Sequence, residues 1–481
     1  MDVRVRFAPS PTGYLHIGGL RTALFNYLFA KKTGGTFILR IEDTDRTRYV
    51  PDSLQDIMAS MRWIGITWDE GPDISGKYAP YTQSERLPIY RQAADTLLAD
   101  GHAYRCFCTP ERLEKTRTDV GYDGHCRSLP PDEIERLLAA NTPHVVRLAV
   151  PRSGTTRVRD FLRGEIEFEN TLQDDLVLLK SDGFPTYHLA HVADDHAMAI
   201  THVLRGEEWL SSTPKHALLF AAFGWQPPLY VHLPVIRSPF GGKLSKRDGG
   251  MAVHDFIAQG YLPDAMTNFL ALLGWSADGE RSMITMAELE QEFVLEKIGM
   301  GSPVFDRAKL DDLNGKYIRK LDDAALAERC RPFLTAAGLM AEGDAAHEDI
   351  LRRIMPLYRE RLVLLRDIAE QAQFFFTDTL DYGSAENLIP KKTTREDAVR
   401  ILQGAGRVLS GLAAFTHAEI EPILRALSEE LGLSARQVFM TLRIALTARE
   451  VSPGLFETME VLGRERTLAR IARAQSLLSD A

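Results

Sequence analysis

The sequence predicts an α/β protein: a parallel-sheet first half carrying an α+β insertion, followed by an all-α C-terminal region. Three observations carry this expectation. A strand–loop–helix–strand run opens the chain, short strand-like segments fill residues 106–178, and helical periodicity dominates after about Asp322. In the opening run, residues 3–8 alternate apolar and basic side chains, the signature of a strand. A loop with Pro9, Pro11 and Gly13 follows. Leu20, Ala23, Leu24, Tyr27 and Leu28 then fall at i, i+3, i+4, i+7 and i+8, one face of a helix. Gly34 and Gly35 end that helix, and residues 36–41 read as the next strand. Helix-linked strands of this kind favour a parallel sheet.

Between residues 106 and 178 the pattern changes to short strand-like runs at 145–150, 165–168 and 176–180, separated by polar turns. This span reads as an inserted subdomain. Strand–helix alternation returns at 187–203 and 228–236. In the helical part, Thr416 with Glu419 three residues on predicts a capping box ahead of Ile420, Ile423, Leu424 and Leu427. The polar stretch 387–395 reads as a linker between two helical subdomains, with their boundary within 376–395. The expected organisation is residues 1–100 and 186–240 as the two halves of the α/β domain, 101–185 as the insertion, 241–322 as a following domain, and 323–481 as the helical region.

Composition narrows the function classes. A chain of 481 residues exceeds one ordinary core, so several domains are expected. Hydrophobic content of 45% and charged content of 26% are those of a globular protein. No apolar run approaches a membrane span, and no signal peptide is expected from the opening residues. Four cysteines in this length do not make a disulfide scaffold, and a cytoplasmic, monomeric protein is expected. Net charge is −9, so a nucleic-acid partner requires a local basic face.

Two motifs carry the chemistry. The first, Ser10-Pro11-Thr12-Gly13-Tyr14-Leu15-His16-Ile17-Gly18-Gly19, lies between the first strand and the first helix. Gly18 and Gly19 allow a planar base or a phosphate to approach the backbone. The loop delivers its ligand to a helix N-terminus, where free N–H groups favour anions, and His16 can donate to phosphate oxygens. The second, Lys243-Leu244-Ser245-Lys246-Arg247, has glycine pairs on both sides, the composition of a loop that carries charge to a polyphosphate. Each alone is common as a surface turn or a solvated basic loop. Together, in this order and about 225 residues apart, they resemble the two signatures of class I aminoacyl-tRNA synthetases. The class motif His-Ile-Gly-His ends here in Gly19, as is frequent in the glutamyl branch. Lys-Met-Ser-Lys-Ser appears here with Leu244 and Arg247. The segments 40–45, 81–86, 185–190, 194–196 and 204–209 look like further blocks of bacterial glutamyl-tRNA synthetases.

That resemblance implies a Rossmann-type catalytic domain, an acceptor-binding insertion and a helical anticodon-binding region. It implies ATP with Mg2+, L-glutamate and tRNA(Glu) as substrates, and a ligase that forms glutamyl-adenylate before transfer to the 3′-terminal ribose. The implied catalytic residues are His16, Lys243 and Lys246. ATP is expected against Pro9, Thr12, Gly13, His16, Gly18, Gly19, Glu208, Lys243, Ser245 and Lys246. Glutamate is expected against Arg6, Ala8, Ser10, Glu42, Tyr187, His191 and Arg205, with the arginines facing carboxylates and Glu42 the ammonium. No general base is required, because the attacking carboxylate is ionised near neutral pH. The alternatives are a form that also charges tRNA(Gln), and a catalytically silent tRNA-binding paralogue, against which the intact motif residues speak.

Cys106, Cys108 and Cys126 lie in the insertion. A Cys-x-Cys pair with a third cysteine after a loop can bring three thiolates around a tetrahedral Zn2+. Tyr122, His125 or a water would complete the shell, since Ser128 is a poor ligand. The competing expectation is three reduced structural cysteines. At the far end of the chain, Arg466, Arg470 and Arg473 recur at i, i+4 and i+7 among apolar residues. This predicts one basic helix face, either available to RNA or simply solvated.

Overall fold

The computed structural model describes residues 2–244, 250–277 and 281–479. It divides into two compact units. The first comprises Met1–Ile257 and Pro263–Arg307, the second Ala258–Leu262 and Ala308–Ala481.

The first unit is built on parallel strands. β1 (Arg4–Phe7) pairs in parallel with β2 (Thr36–Leu39), in register Arg4 to Thr36. The helix Ile17–Thr33 crosses between them and ends at Gly34, whose φ of 63° is the left-handed conformation that glycine adopts without a Cβ penalty. β3 (Ala103–Cys106), β4 (Val145–Leu148) and β7 (Val177–Leu179) form a three-stranded antiparallel sheet in the order β3-β4-β7. β8 (His202–Gly206) runs parallel to β9 (Leu229–Leu233). The carbonyl of Arg4 in β1 accepts from Thr201 N at 3.0 Å, which sets β1 beside the start of β8.

Residues 155–160 form a strand that periodicity did not single out. β5 (Thr155–Asp160) is antiparallel to β6 (Gly164–Glu169) and meets β9 in parallel through Asp160 and Tyr230. Its burial alternates strictly, with Thr156, Val158 and Asp160 inward. An apolar core of Tyr90, Leu97, Leu148, Leu178, Leu189, Val192, Leu219 and Phe220 underlies the β3-β4-β7 sheet, and Val158 and Tyr230 pack in a second cluster with Ile38 and Val203. Each such side chain contributes roughly 1.5–3 kcal/mol by leaving water.

The second unit is helical. Its main helices are Asp323–Ala336, Ala345–Tyr358, Arg395–Ser410, His417–Leu431, Ala435–Thr447 and Leu455–Ser479, the last kinked at Gly463. The short segment Ala258–Leu262 belongs to it because Asn314 accepts from Leu262 N at 2.8 Å and donates to Val363 O at 2.6 Å. One local expectation is corrected. Thr416 precedes its helix without any side-chain capping bond, so no capping box forms there. Within residues 387–395, Leu388 is buried and Thr394 caps the helix Arg395–Ser410 through Asp397 N. No helix among the described residues is long and apolar enough to cross a membrane.

Candidate active site

A cavity of about 790 Å³ opens in the first unit above the ends of β1 and β8. Its wall includes Arg6, Ala8, Pro9, Ser10, His16, Gly18, Gly19, Glu42, Tyr187, Arg205, Glu208 and Lys243, brought together from six separate stretches of sequence. The parallel sheet explains the convergence, since successive strands deliver their C-terminal ends to the same edge. Thr12 and Gly13 are not on this wall, and His191 lies behind it. Ser245 and Lys246 lie outside the described residues.

His16 is the N-cap of the first helix. Its Nδ1 accepts from Gly18 N at 3.1 Å, so the neutral ring carries its proton on Nε2. Gly19 is tightly placed, because a Cβ there would stand 3.0 Å from Leu15 Cδ1. Across the cavity Lys243 Nζ pairs with Glu208 at 3.0 Å. Both side chains are largely exposed, and a pair of this kind holds by at most about 1 kcal/mol, so it can open to a phosphate. The first motif also meets the segment that follows the second motif through the backbone. Ile17 N donates to Met251 O at 3.1 Å, and Val253 N donates to Leu15 O at 2.9 Å.

The inner end of the cavity is a cluster of buried charges. Arg6 Nε reaches Asp195 at 3.1 Å; Arg40 reaches Asp195 at 2.7 Å and Glu42 at 3.0 Å. Burial alone would lower the Arg40 guanidinium, but Asp195, Glu42 and Asp194 outweigh it and hold the group above its ordinary value. Asp195 is held low by Arg6 and Arg40 against its burial, whereas burial pushes Glu42 up against the pull of the same arginines.

Arg205 differs from its neighbours. It is 5% exposed, yet among the described residues every partner is neutral. Nη1 donates to Tyr187 Oη at 2.9 Å, Nη2 to Thr213 Oγ1 at 2.9 Å, and Nε to His232 Nε2 at 3.0 Å. His191 and His216 approach Nη1 at 3.5 and 3.4 Å, and burial holds both rings neutral, well below the ordinary histidine value. A buried guanidinium without a carboxylate partner is costly unless a ligand supplies one.

A family model described as the catalytic domain of class I tRNA synthetases (E and Q) matches residues 2–312, and an anticodon binding domain model matches residues 325–475. The chain belongs to the class I glutamyl/glutaminyl tRNA synthetase family. It is 48% identical to a glutamate–tRNA ligase of Dehalococcoides mccartyi, covering 100% of this chain and 98% of that one. It is 47% identical to a glutamate–tRNA ligase of Thermus thermophilus, covering 98% and 99%. A crystal structure of a glutamate tRNA ligase from Elizabethkingia meningosepticum, in complex with its amino acid, superposes with a TM-score of 0.87 at 38% identity over 99% of this chain and 100% of that one.

In this family member, Cys106, Cys108 and Cys126 converge, their sulfurs all within 4.8 Å of one another. Cys108 Sγ lies 3.5 Å from Cys126 Sγ and 3.5 Å from Tyr122 Oη. His125 is not part of the group. Cys330 is buried in the helical unit, far in sequence from the others.

The basic helix face expected at Arg466 and Arg470 is not there. Arg470 is 3% exposed and donates to the carbonyls of Leu446, Phe374 and Thr377 at 2.6–2.7 Å. Arg466 donates to the carbonyls of Phe375 and Thr377. These carbonyls stand at helix ends, where backbone acceptors lack partners within their own helix. Of the three, Arg473 is exposed.

The sequence reading missed Asp160, Thr213 and His232, and placed no role on Arg40 or Asp195. The signal for Asp160 was present: a carboxylate at an inward position of an alternating strand demands a buried partner. Its partner, His232, is too distant in sequence to be found by spacing.

Proposed function

We propose that the chain activates L-glutamate with ATP and transfers it to the 3′-terminal ribose of tRNA(Glu). The observation that carries this is Arg205, a buried guanidinium on the cavity wall whose direct partners among the described residues are all neutral. Arg205 takes one substrate carboxylate, Arg6 the other, and Glu42 the ammonium. Ala8, Ser10 and Tyr187 complete the pocket, and His191 braces Arg6 and Arg205 from behind. The α-carboxylate oxygen forms a bond to the ATP α-phosphorus while the bond to the departing pyrophosphate breaks. His16, Lys243 and Lys246 neutralise charge on the phosphates, with Pro9, Gly18, Gly19, Ser245 and Glu208 around the nucleotide. ATP arrives as its Mg2+ complex. The terminal ribose hydroxyl then attacks the acyl carbon, and AMP leaves. Glutamine is rejected because an amide cannot accept the charge-assisted pairing that Arg205 offers. Residues after Asp322 read the anticodon. ATP–pyrophosphate exchange with tRNA present tests this reading: exchange is expected with glutamate and not with glutamine. Absence of exchange with both amino acids would overturn it. Charging of purified tRNA(Glu) and tRNA(Gln) side by side fixes the tRNA range.

The insertion fits a structural Zn2+ held by Cys106, Cys108 and Cys126, with Tyr122 Oη as the fourth ligand. Zn–S bonds of about 2.3 Å in a tetrahedron separate sulfurs by roughly 3.8 Å, close to the spacing present. Elemental analysis is expected to find about one zinc per chain, and none in a Cys126→Ser variant.

A further inference from the structure

A carboxylate does reach Arg205, but through an intermediary. Asp160 closes β5 and is 1% exposed; His232 lies on β9 and is fully buried. Asp160 Oδ1 accepts from the backbone N–H groups of Leu162 and Arg163 at 2.9 and 3.0 Å. Its Oδ2 accepts from His232 N at 3.1 Å and sits 2.7 Å from His232 Nδ1. Both oxygens are thus held by donors, so the ring proton resides on Nδ1. Burial keeps His232 below its ordinary value and so neutral, against the opposing pull of Asp160. Nε2 therefore presents a lone pair, and Arg205 Nε donates into it at 3.0 Å. Thr213 Oγ1, 3.2 Å from the same Nε2, takes a second proton of the guanidinium at 2.9 Å.

We infer that Asp160 and His232 are positioning residues that orient Arg205 for the substrate carboxylate while leaving its charge unspent. The inference rests on the placement of that carboxylate proposed above. Direct contact between Asp160 and Arg205 would form an ion pair with which the substrate must compete. A neutral imidazole between them transmits direction, because only one tautomer fits, without supplying a competing anion. The arrangement thus holds the plane of the guanidinium and leaves the compensating negative charge to the ligand. Arg6 shows the contrast, since Asp195 contacts it directly.

The test compares KM for glutamate with KM for ATP in the full chain, together with preference for glutamate over glutamine. His232→Leu removes donor and acceptor at similar volume. It should raise KM for glutamate about 10–100-fold, the scale of a misplaced binding group, with KM for ATP unchanged and preference over glutamine reduced. His232→Gln keeps one donor and one acceptor and should return KM for glutamate to within about fivefold of the parent. Asp160→Asn presents an N–H to Nδ1, moves the ring proton to Nε2 and should behave like His232→Leu. Arg205→Ala is the reference. If it leaves KM for glutamate unchanged, the placement of the carboxylate fails and the relay with it. If Arg205→Ala raises that KM while folded Asp160→Asn and His232→Leu do not, the relay alone is overturned. Should His232→Leu fail to fold, Asp160→Asn against His232→Gln decides: equal, parent-like KM values overturn the relay.

Discussion

Buried arginines occur in both compact units, and their partners tell them apart. At the cavity of the first unit, Arg6 and, behind the wall, Arg40 meet carboxylates, and among the described residues Arg205 meets only neutral groups. In the helical unit, buried Arg470 meets backbone carbonyls at helix ends, and half-buried Arg466 meets carbonyls together with Asp378. A guanidinium saturated by carbonyls has its donors committed to the fold. One left without a counter-charge in a cavity is held ready for an anion. Residue type alone separates neither case, because all five are arginines. The lesson bears on RNA recognition as well: basic periodicity on a helix reports phosphate binding only where the side chains are free to leave the protein.

The strongest way to break this contrast is Arg40, fully buried between Asp195 and Glu42. Arg40→Met leaves buried Glu42 without its direct partner and Asp195 with Arg6 alone, and should cost about 3–5 kcal/mol of stability, read by urea denaturation. A loss below about 1 kcal/mol would show that the cluster relaxes without it.

Arg470 comes next. Arg470→Met takes the donor from the Leu446 and Phe374 carbonyls, leaves Thr377 to Arg466 alone, and should cost roughly 2–3 kcal/mol, the scale of charge-assisted hydrogen bonds. The salt dependence of tRNA binding should stay as it is. A slope of log K against log salt reduced by about 0.7–0.9 would mean that Arg470 contacts phosphate after all, and the contrast would collapse.

The neutral imidazoles behind Arg205 sharpen the comparison through pH. Burial holds His191 and His216 well below the ordinary value, and burial with Lys215 and Arg205 lowers His188 to about 4. Each ring takes up a proton near pH 6.5 in the unfolded chain, which the folded chain refuses. The stability at stake is present above about pH 6.5 and drains away as pH falls toward 4. His216→Gln should lose roughly 1–2 kcal/mol less than the parent over that interval, measured as urea midpoints at fixed ionic strength. Identical losses would remove His216 from the account. The smallest effect is expected at exposed Arg473, where Arg473→Ala should change stability by less than about 0.5 kcal/mol. A larger loss would place it with Arg470.

Much of the architecture was legible because it is local. The opening strand, the glycine-terminated helix and the second strand follow from periodicity and Gly34, and appear as Arg4–Phe7, Ile17–Thr33 and Thr36–Leu39. The strand-like runs expected between residues 106 and 178 appear as Val145–Leu148, Gly164–Glu169 and Val177–Leu179. β5 escaped notice because its outward positions are polar and its inward end is an aspartate. The predicted cap at Thr416 failed because a capping pattern states only what a side chain can do, not which rotamer the surrounding packing allows.

The sequence by itself determined the strand–helix order and the first motif at the cavity, which depend on spacing along the chain; the roles expected of Arg6, Glu42, Tyr187 and Arg205 came from the resemblance to a known family. Only the tertiary structure decided that His191 stands behind the wall, that Asp160 reaches Arg205 through His232, and that Arg470 caps helices. Each of those depends on which distant group occupies the hydrogen-bonding position a few ångströms away. Inside a low-dielectric interior, that choice of partner decides whether a charge is satisfied by the fold or left for a ligand.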